Sequence, residues 1–263
     1  MKPAFAKIGF AAMCLAAAGC SSVPKSGEFT YASWNIGHFA WGRSRASTIP
    51  PEQAGERGRA YRDFLDKVGA QVLGVCEFSE AFTTCGGISS EAAVFGRYSK
   101  CVKGPGHDYQ WNAFCLNGFE IAETKIVEYP QHDQRVYYLA IKLKPSGAEP
   151  FWAVQTHLDW TTFKTGHEDD RKLQMKKLID DFRNEPRVII SGDFNIGFWE
   201  EYDVFMKAGY KLVNGDATPT YPSNNPKSPL DNIMIKGMDF KDARFMPAGD
   251  LSDHDLVSCT VVY

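Results

Sequence analysis

Asn35, Glu77, His157, Asp193, Asn195, Asp231, Asp253 and His254 share one placement: each stands where an apolar run gives out. They occur in SWNIG, GVCEF, QTHLD, SGDFN, PLDNIMI and LSDHD. A single Asp or His at such an end is ordinarily a turn or capping residue. Six such ends in one chain are hard to explain as six separate turns, and the residue types cohere. Glu and Asp, with Asn in support, are hard oxygen ligands of the kind Mg²⁺ takes rather than zinc. Two histidines beside carboxylates suit proton transfer and stabilisation of a charged transition state. Hydrolysis of a phosphate ester needs such parts: a metal against phosphoryl oxygens, an activated water, and donors around the in-line centre. In VIISGDFN, period-two alternation lets Asp193 and Asn195 face one side, with Phe194 on the other.

Positioning these residues requires strands, and the sequence supplies them in mixed order. EFTYASWNI (28–36) reads as a first strand. A helix starts at Pro50-Pro51-Glu52, with Tyr61, Phe64, Leu65 and Val68 at i, i+3, i+4 and i+7. QVLGVCEF is a short buried strand, and the Gly- and Ser-rich stretch 79–108 has room for a short helix at 89–96. WNAFCLNGFEIAETKIVEY, RVYYLAIKLK and PFWAVQTHL read as strands of antiparallel character, with turns at Asn117-Gly118 and Pro145-Ser146-Gly147. A second amphipathic helix covers 167–184, with Met175, Leu178, Ile179 and Phe182 on one face. RVIISGDF follows as a strand, then a short helix from Glu200 to Ala208 capped by Gly209. DNIMIKG, FKDARFM and LVSCTVVY close the chain as strands. That order predicts two packed sheets with helices outside, and no stretch reads as an interdomain linker.

The first twenty residues are a separate matter. MKPAFAKIGFAAMCLAAAGC has a basic start and an uncharged run from Ile8 to Gly19, too short to span a bilayer; it reads as a secretory signal peptide. Its end, Ala17-Ala18-Gly19-Cys20, resembles the lipobox of bacterial lipoproteins, with Ala17 in place of the usual Leu. The resemblance implies export, lipidation of Cys20 and attachment to the cell envelope. Residues 21–28 then form a polar tether, and 29–263 the folded domain. Without Lys2 and Lys7, a formal net charge of −3 becomes −5. The absence of a basic tract weighs against tight nonspecific nucleic-acid binding; GRSR (42–45) and GERGR (55–59) are the nearest clusters. Cys76, Cys115 and Cys259 lie in apolar runs and read as small core residues. Cys85 and Cys101 lie in loop-like surroundings, where an exported location permits a disulfide between them.

The ordered set W-N, E after an apolar strand, T-H-L-D, G-D-F-N, D-N-I and S-D-H resembles the endonuclease/exonuclease/phosphatase superfamily, the deoxyribonuclease-I-like fold. The resemblance covers about residues 29–263. It implies a four-layer α/β sandwich: two packed mixed β-sheets flanked by helices. It also implies a Mg²⁺ ion, with Mn²⁺ as the alternative, held chiefly by Glu77 with Asn35 and Asp253 close by. His254 would be the general base or a phosphate contact, oriented by Asp231. Asp193 would position or deprotonate the attacking water, and Asn195 and His157 would donate hydrogen bonds to the pentacovalent centre. In the nuclease branch a carboxylate supports the His of T-H; here DYQWNAF offers Gln110 or Asn112 instead.

The function this implies is metal-dependent hydrolysis of a phosphate ester by a monomer, as phosphodiesterase, phosphatase or nuclease. The substrate could be nucleic acid, phospholipid or sugar phosphate. A non-catalytic surface-binding lipoprotein on the same scaffold is the competing reading, but decay of function would erase some of the six motifs and none is erased. Trp41, Trp160 and Trp199 follow the motif strands and could wall a cleft or pack under loops; Asp159 could serve the site or a turn. Arg171 and Gln174 read as structural, and His38, His107, His132 and His167 receive no role.

Overall fold

The computed structural model describes residues 27–39, 51–83, 88–104, 111–129, 137–159, 168–196 and 198–263. Two six-stranded sheets form its centre. The first has the order β11-β12-β1-β2-β4-β3: Asp239–Met246, Leu256–Val262, Glu28–Asn35, Val72–Phe78, Trp111–Leu116 and Lys100–Lys103. The second has the order β5-β6-β7-β8-β10-β9: Glu120–Glu128, Tyr137–Lys144, Phe151–His157, Val188–Asp193, Asp231–Lys236 and Lys211–Leu212. In each sheet one neighbouring pair is parallel, β1 with β2 and β7 with β8; the remaining pairs are antiparallel. Parallel neighbours need a long crossover. The first contains helix α1 (Pro51–Val68) and the second helix α3 (Glu168–Asp181). Among the described residues there are two further short α-helices, α2 (Ser90–Val94) and α4 (Asp203–Lys207).

Alternation along the strands explains the layering. In β1, Phe29 and Tyr31 point into the space between the sheets, where they meet Phe151, Ala153, Ile189 and Ile233. Ala32 and Trp34 point the other way, onto Tyr61, Leu65 and Val68 of α1. On the opposite outer face, Met175 and Leu178 of α3, with Phe182 just past its end, cover Trp152, Val154, Val188 and Ile190. Each such fully buried large side chain contributes on the order of 1.5–3 kcal/mol. The result is the four-layer α/β sandwich, helix–sheet–sheet–helix. Among the described residues no helix is long and apolar enough to cross a membrane.

Three sequence expectations need correction. Asn117-Gly118 does not close a hairpin: β4 pairs with β2 and β3, β5 pairs with β6, and the turn carries the chain between sheets. A local turn signal sets a reversal but not a partner. Here the Asn117 side chain is used elsewhere, accepting from Ser99 N at 2.8 Å and donating to the Arg97 carbonyl at 3.3 Å. Strands β3 and β9 were not foreseen; both are short edge strands without an apolar run. Cys115 is not a free core thiol and Cys101 is not paired with Cys85: Cys101 and Cys115 form a disulfide across the β3–β4 pair. Cys76 and Cys259 are free and buried, as expected, and Cys85 lies outside the described residues.

Gly192, in SGDFN, is dictated by the β7–β8 approach. Its φ is +142°, and a Cβ there would lie 1.8 Å from the Thr156 carbonyl oxygen. Relief requires separating the two strands that carry His157 and Asp193. Gly192→Ala is expected to lower stability by more than about 3 kcal/mol, combining steric overlap with a strained backbone. Urea unfolding checks this, and a loss below about 1 kcal/mol would contradict the close approach.

Candidate active site

The ends of the two parallel pairs face each other across the sandwich. In the second sheet, Asp193 sits beside His157 of β7 and opposite Asp231 of β10 in register. In the first, Asn35 ends β1. The rows meet where Asn35 Nδ2 donates to Asp193 Oδ2 at 3.0 Å and to Glu77 Oε1 at 3.3 Å. Asn35 and Asp193 are both buried.

Glu77 reaches this place through an irregularity. Cys76 before it points into the sandwich, so regular alternation would send Glu77 outward. Instead Glu77 has φ +53°, and the β2–β4 register shifts between Val75 and Phe78. Such a bulge re-aims a side chain. The Glu77 carboxylate lies 2.9 Å from His38 Nε2 and 3.9 Å from His157 Nε2. Burial alone would raise its pKa, but the His38 hydrogen bond and the charges of His157, His38 and His254 outweigh burial and hold it down to about 2.

His254 is fixed on several sides. Its Nδ1 is 2.8 Å from Asp231 Oδ2, which also accepts from Thr220 Oγ1 at 2.7 Å. Its Nε2 lies 3.6 Å from Asp193 Oδ2, and its ring packs on Tyr221 at a centroid distance of 4.7 Å. Trp34 Nε1 donates to the His254 carbonyl at 3.0 Å. Ser252 Oγ accepts from His254 N at 3.1 Å and donates to the Asn35 carbonyl at 2.7 Å, tying the loop to β1. Burial opposes a charged imidazole, but Asp231, Asp193 and Asp253 together push its pKa up to about 10. Burial raises Asp231 as well. We place the shared proton on the imidazole, because His254 faces these further carboxylates.

The remaining expectations resolve one by one. Asn195, at φ +49°, donates from Nδ2 to the Leu158 carbonyl at 2.8 Å, while its backbone N donates to Asp193 Oδ1 at 2.9 Å. Its amide keeps a second N–H for a ligand. Phe194 faces away, buried with Tyr202 and Phe205. Asp253 is exposed at the rim, and a Cβ on Gly37 would lie 3.3 Å from its Oδ1. Asn112 does not support His157: its Nδ2 donates to the Tyr137 carbonyl at 2.8 Å. Asp159 is buried, with its N donating to Gln174 Oε1 at 3.0 Å, and Arg171 pairs with Glu201 at 2.7 Å. Trp199 packs on Tyr202. Gln110, Trp41, Trp160, His107, His132 and His167 lie outside the described residues. His38, Thr220 and Ser252 were missed in the sequence; none ends an apolar run, and their proximity arises from loops.

The charges suit a cation. Among the described residues, the ion pairs of Glu77, Asp193 and Asp231 are all with histidines, never with Lys or Arg. Glu77, with Asp253 near Gly37, offers carboxylate oxygens to a hard divalent ion, while Asn35 holds Glu77 through Nδ2 and accepts from Gly37 N at 3.1 Å with its Oδ1. Asp193, Asp231 and His254 also bring one donor atom each within 4.8 Å of one another, a buried group that could hold a metal ion.

Paired sheets with a His–carboxylate–amide centre at the ends of their parallel strands define a deoxyribonuclease-I-like α/β sandwich. The chain has the fold of the endonuclease/exonuclease/phosphatase superfamily, as similarity to solved structures shows. D. rerio TDP2 complexed with a single strand DNA product superposes with a TM-score of 0.68 at 16% identity, covering 89% of this chain and 98% of that one. ANGEL2, a 2′,3′-cyclic phosphatase in complex with adenosine-2′,3′-vanadate, gives 0.70 at 13% identity, covering 91% and 97%. An endonuclease/exonuclease/phosphatase protein from Beutenbergia cavernae gives 0.67 at 15% identity, covering 89% and 71%. No protein-family model and no curated protein sequence matches the chain.

Asp231→Asn tests the His254 assignment. A raised folded pKa means His254 contributes stability fully below its unfolded value of about 6.5, and that contribution is lost as pH rises through about 10. The substitution should bring the His254 titration, followed by imidazole NMR in metal-free protein, down by more than one unit. It should also flatten the alkaline loss of stability. An unmoved titration would refute the pairing.

Proposed function

We propose that the chain is a metal-dependent phosphoric ester hydrolase acting by in-line attack of water. The observation that carries this reading is the unbroken line Asp231–His254–Asp193–Asn35, with steps of 2.8, 3.6 and 3.0 Å, running across both sheets to Glu77. When bound, Mg²⁺, or Mn²⁺ in its place, held by Glu77 with Asn35 and Asp253 alongside, would neutralise charge on the phosphoryl oxygens. His254, kept protonated, donates from Nε2 to a phosphoryl oxygen, and Asp231 holds its ring in place through Nδ1. That leaves Asp193 Oδ2, oriented by the Asn35 amide, to position the water and take its proton. His157 and the second N–H of Asn195 donate to the pentacovalent centre. The like-folded proteins carry a DNA product in one case and a nucleotide vanadate in another, which supports a phosphodiester of nucleotide type ahead of a phospholipid or sugar phosphate.

The test is hydrolysis of bis-p-nitrophenyl phosphate, single-stranded DNA and adenosine 2′,3′-cyclic phosphate with Mg²⁺ or Mn²⁺. EDTA should abolish turnover. His157→Ala and His254→Ala should each lower kcat by roughly 10²–10⁴-fold. Undiminished activity in the double variant would sink the mechanism.

We also propose that the enzyme is exported and held at the cell envelope through lipidated Cys20; residues 1–26 lie outside the described residues. Labelled fatty acid should be incorporated by the wild type in a bacterial host and not by Cys20→Ala. Equal labelling of both would exclude this anchor.

A further inference from the structure

The chain makes a left-handed turn immediately after Asn35. φ is +59° at Gly37, +55° at His38 and +59° at Phe39. Glycine enters this region freely, whereas His and Phe there cost about 1 kcal/mol or more each. Such strain persists only where surrounding contacts over-determine it. Two contacts do so here. The Phe39 ring is buried and packs edge-on against Tyr61, Phe78 and Phe82 at 5.3, 5.8 and 5.3 Å. Ser79 Oγ donates to the His38 carbonyl at 3.1 Å. Neither contact uses the imidazole, so the turn is held by its backbone and by the next residue while the imidazole is aimed at the site.

Its target is Glu77, itself a left-handed residue on the neighbouring segment. His38 Nε2 lies 2.9 Å from Glu77 Oε2, with side chains 23% and 19% exposed. Without an ion this contact is the hydrogen bond from His38 Nε2 to Glu77 described above; an ion bound between the two would release that Nε2 proton to solvent and leave the neutral ring's lone pair for the metal. Two ligands on one ion, with bonds of about 2.0–2.2 Å at right angles, stand roughly 3 Å apart. The other Glu77 oxygen is turned towards Asn35 and His157.

We propose that His38 is a nitrogen ligand of the ion held by Glu77, so that this centre selects a first-row transition ion over Mg²⁺. This rests on the metal-assisted reading of Glu77 given above. Imidazole binds first-row transition ions far better than Mg²⁺, which keeps to oxygen. An all-oxygen centre would lack that preference.

The experiment uses the full chain loaded with Mn²⁺ as probe, read by pulsed EPR and by Mg²⁺ competition. The wild type should show the ¹⁴N coupling of a directly bound imidazole. The coupling should vanish in His38→Gln and in His38→Asn, the latter chosen because Asn tolerates a left-handed backbone, and it should survive in His157→Gln. Mn²⁺ affinity should fall about tenfold or more in both His38 variants, with Mg²⁺ affinity changing less than about threefold. Bound Mn²⁺ without nitrogen coupling in the wild type, or coupling that survives both His38 variants, overturns the role of His38 and leaves the Glu77 reading standing. Mn²⁺ binding unaltered in Glu77→Gln overturns the Glu77 reading and the proposal with it.

Discussion

Gln155 lies fully buried between the two sheets, and the polar contacts around it fix how the sheets sit against each other. Its Oε1 accepts from Ser191 Oγ at 2.6 Å, and its Nε2 donates to Ser33 Oγ at 3.2 Å and to Cys76 Sγ at 3.0 Å. Tyr31 and Ser191 share a further hydrogen bond at 2.6 Å. These partners belong to β1, β2 and β8, so one amide on β7 ties together both parallel pairs. An unsatisfied polar group in that place would cost about 1–3 kcal/mol, which penalises any sliding of one sheet over the other. Ser33, Gln155 and Ser191 each stand two residues before Asn35, His157 and Asp193. On a strand that spacing means the same face, one step lower. The candidate active site is therefore the next layer above a polar strap whose geometry is fixed by its own bonding.

Above the strap the structure accepts strain. His38, Phe39, Glu77 and Asn195 are four of the six non-glycine residues with positive φ among the described residues, and all four belong to the site or its support. His38, Phe39 and Glu77 each cost on the order of 1–3 kcal/mol, and Asn195 less, because Asn tolerates this region. The return is direction: Glu77 turns inward where alternation would send it out, and His38 is carried onto Glu77. The aromatic cluster around Phe39 holds that residue's conformation by burial, so the apolar layer under α1 supports the turn that carries His38.

The electrostatics follow the same division. Asp193, Asp231 and His254 are buried, and charges there interact strongly because water is excluded. Glu77 is closer to solvent and Asp253 is exposed, which suits the hydrated ion proposed for them. In the mechanism proposed above, a proton is kept in the interior on His254 and the cation sits nearer the rim. This is why the proposed mechanism gives the proton from water to Asp193 and not to His254.

Much of this was legible in the sequence. Alternation and helical periodicity gave most of the strands and the faces of both long helices, because those patterns are local to each element. Residue types at strand ends named Asn35, Glu77, His157, Asp193 and His254 for the same reason: the end of a strand is where a side chain can leave the core. Partners were not legible. That Asn117-Gly118 crosses between sheets, that Cys101 joins Cys115, and that Asn112 serves Tyr137 rather than His157 all depend on which distant segments lie side by side. The pairing of His38 with Glu77 depends on two left-handed residues held by contacts from other elements, and nothing local marks either one. The sequence by itself determined the chemical inventory and the elements that present it. Only the tertiary structure decided which groups meet, because contact between residues far apart in the chain is set by packing across layers and not by local pattern.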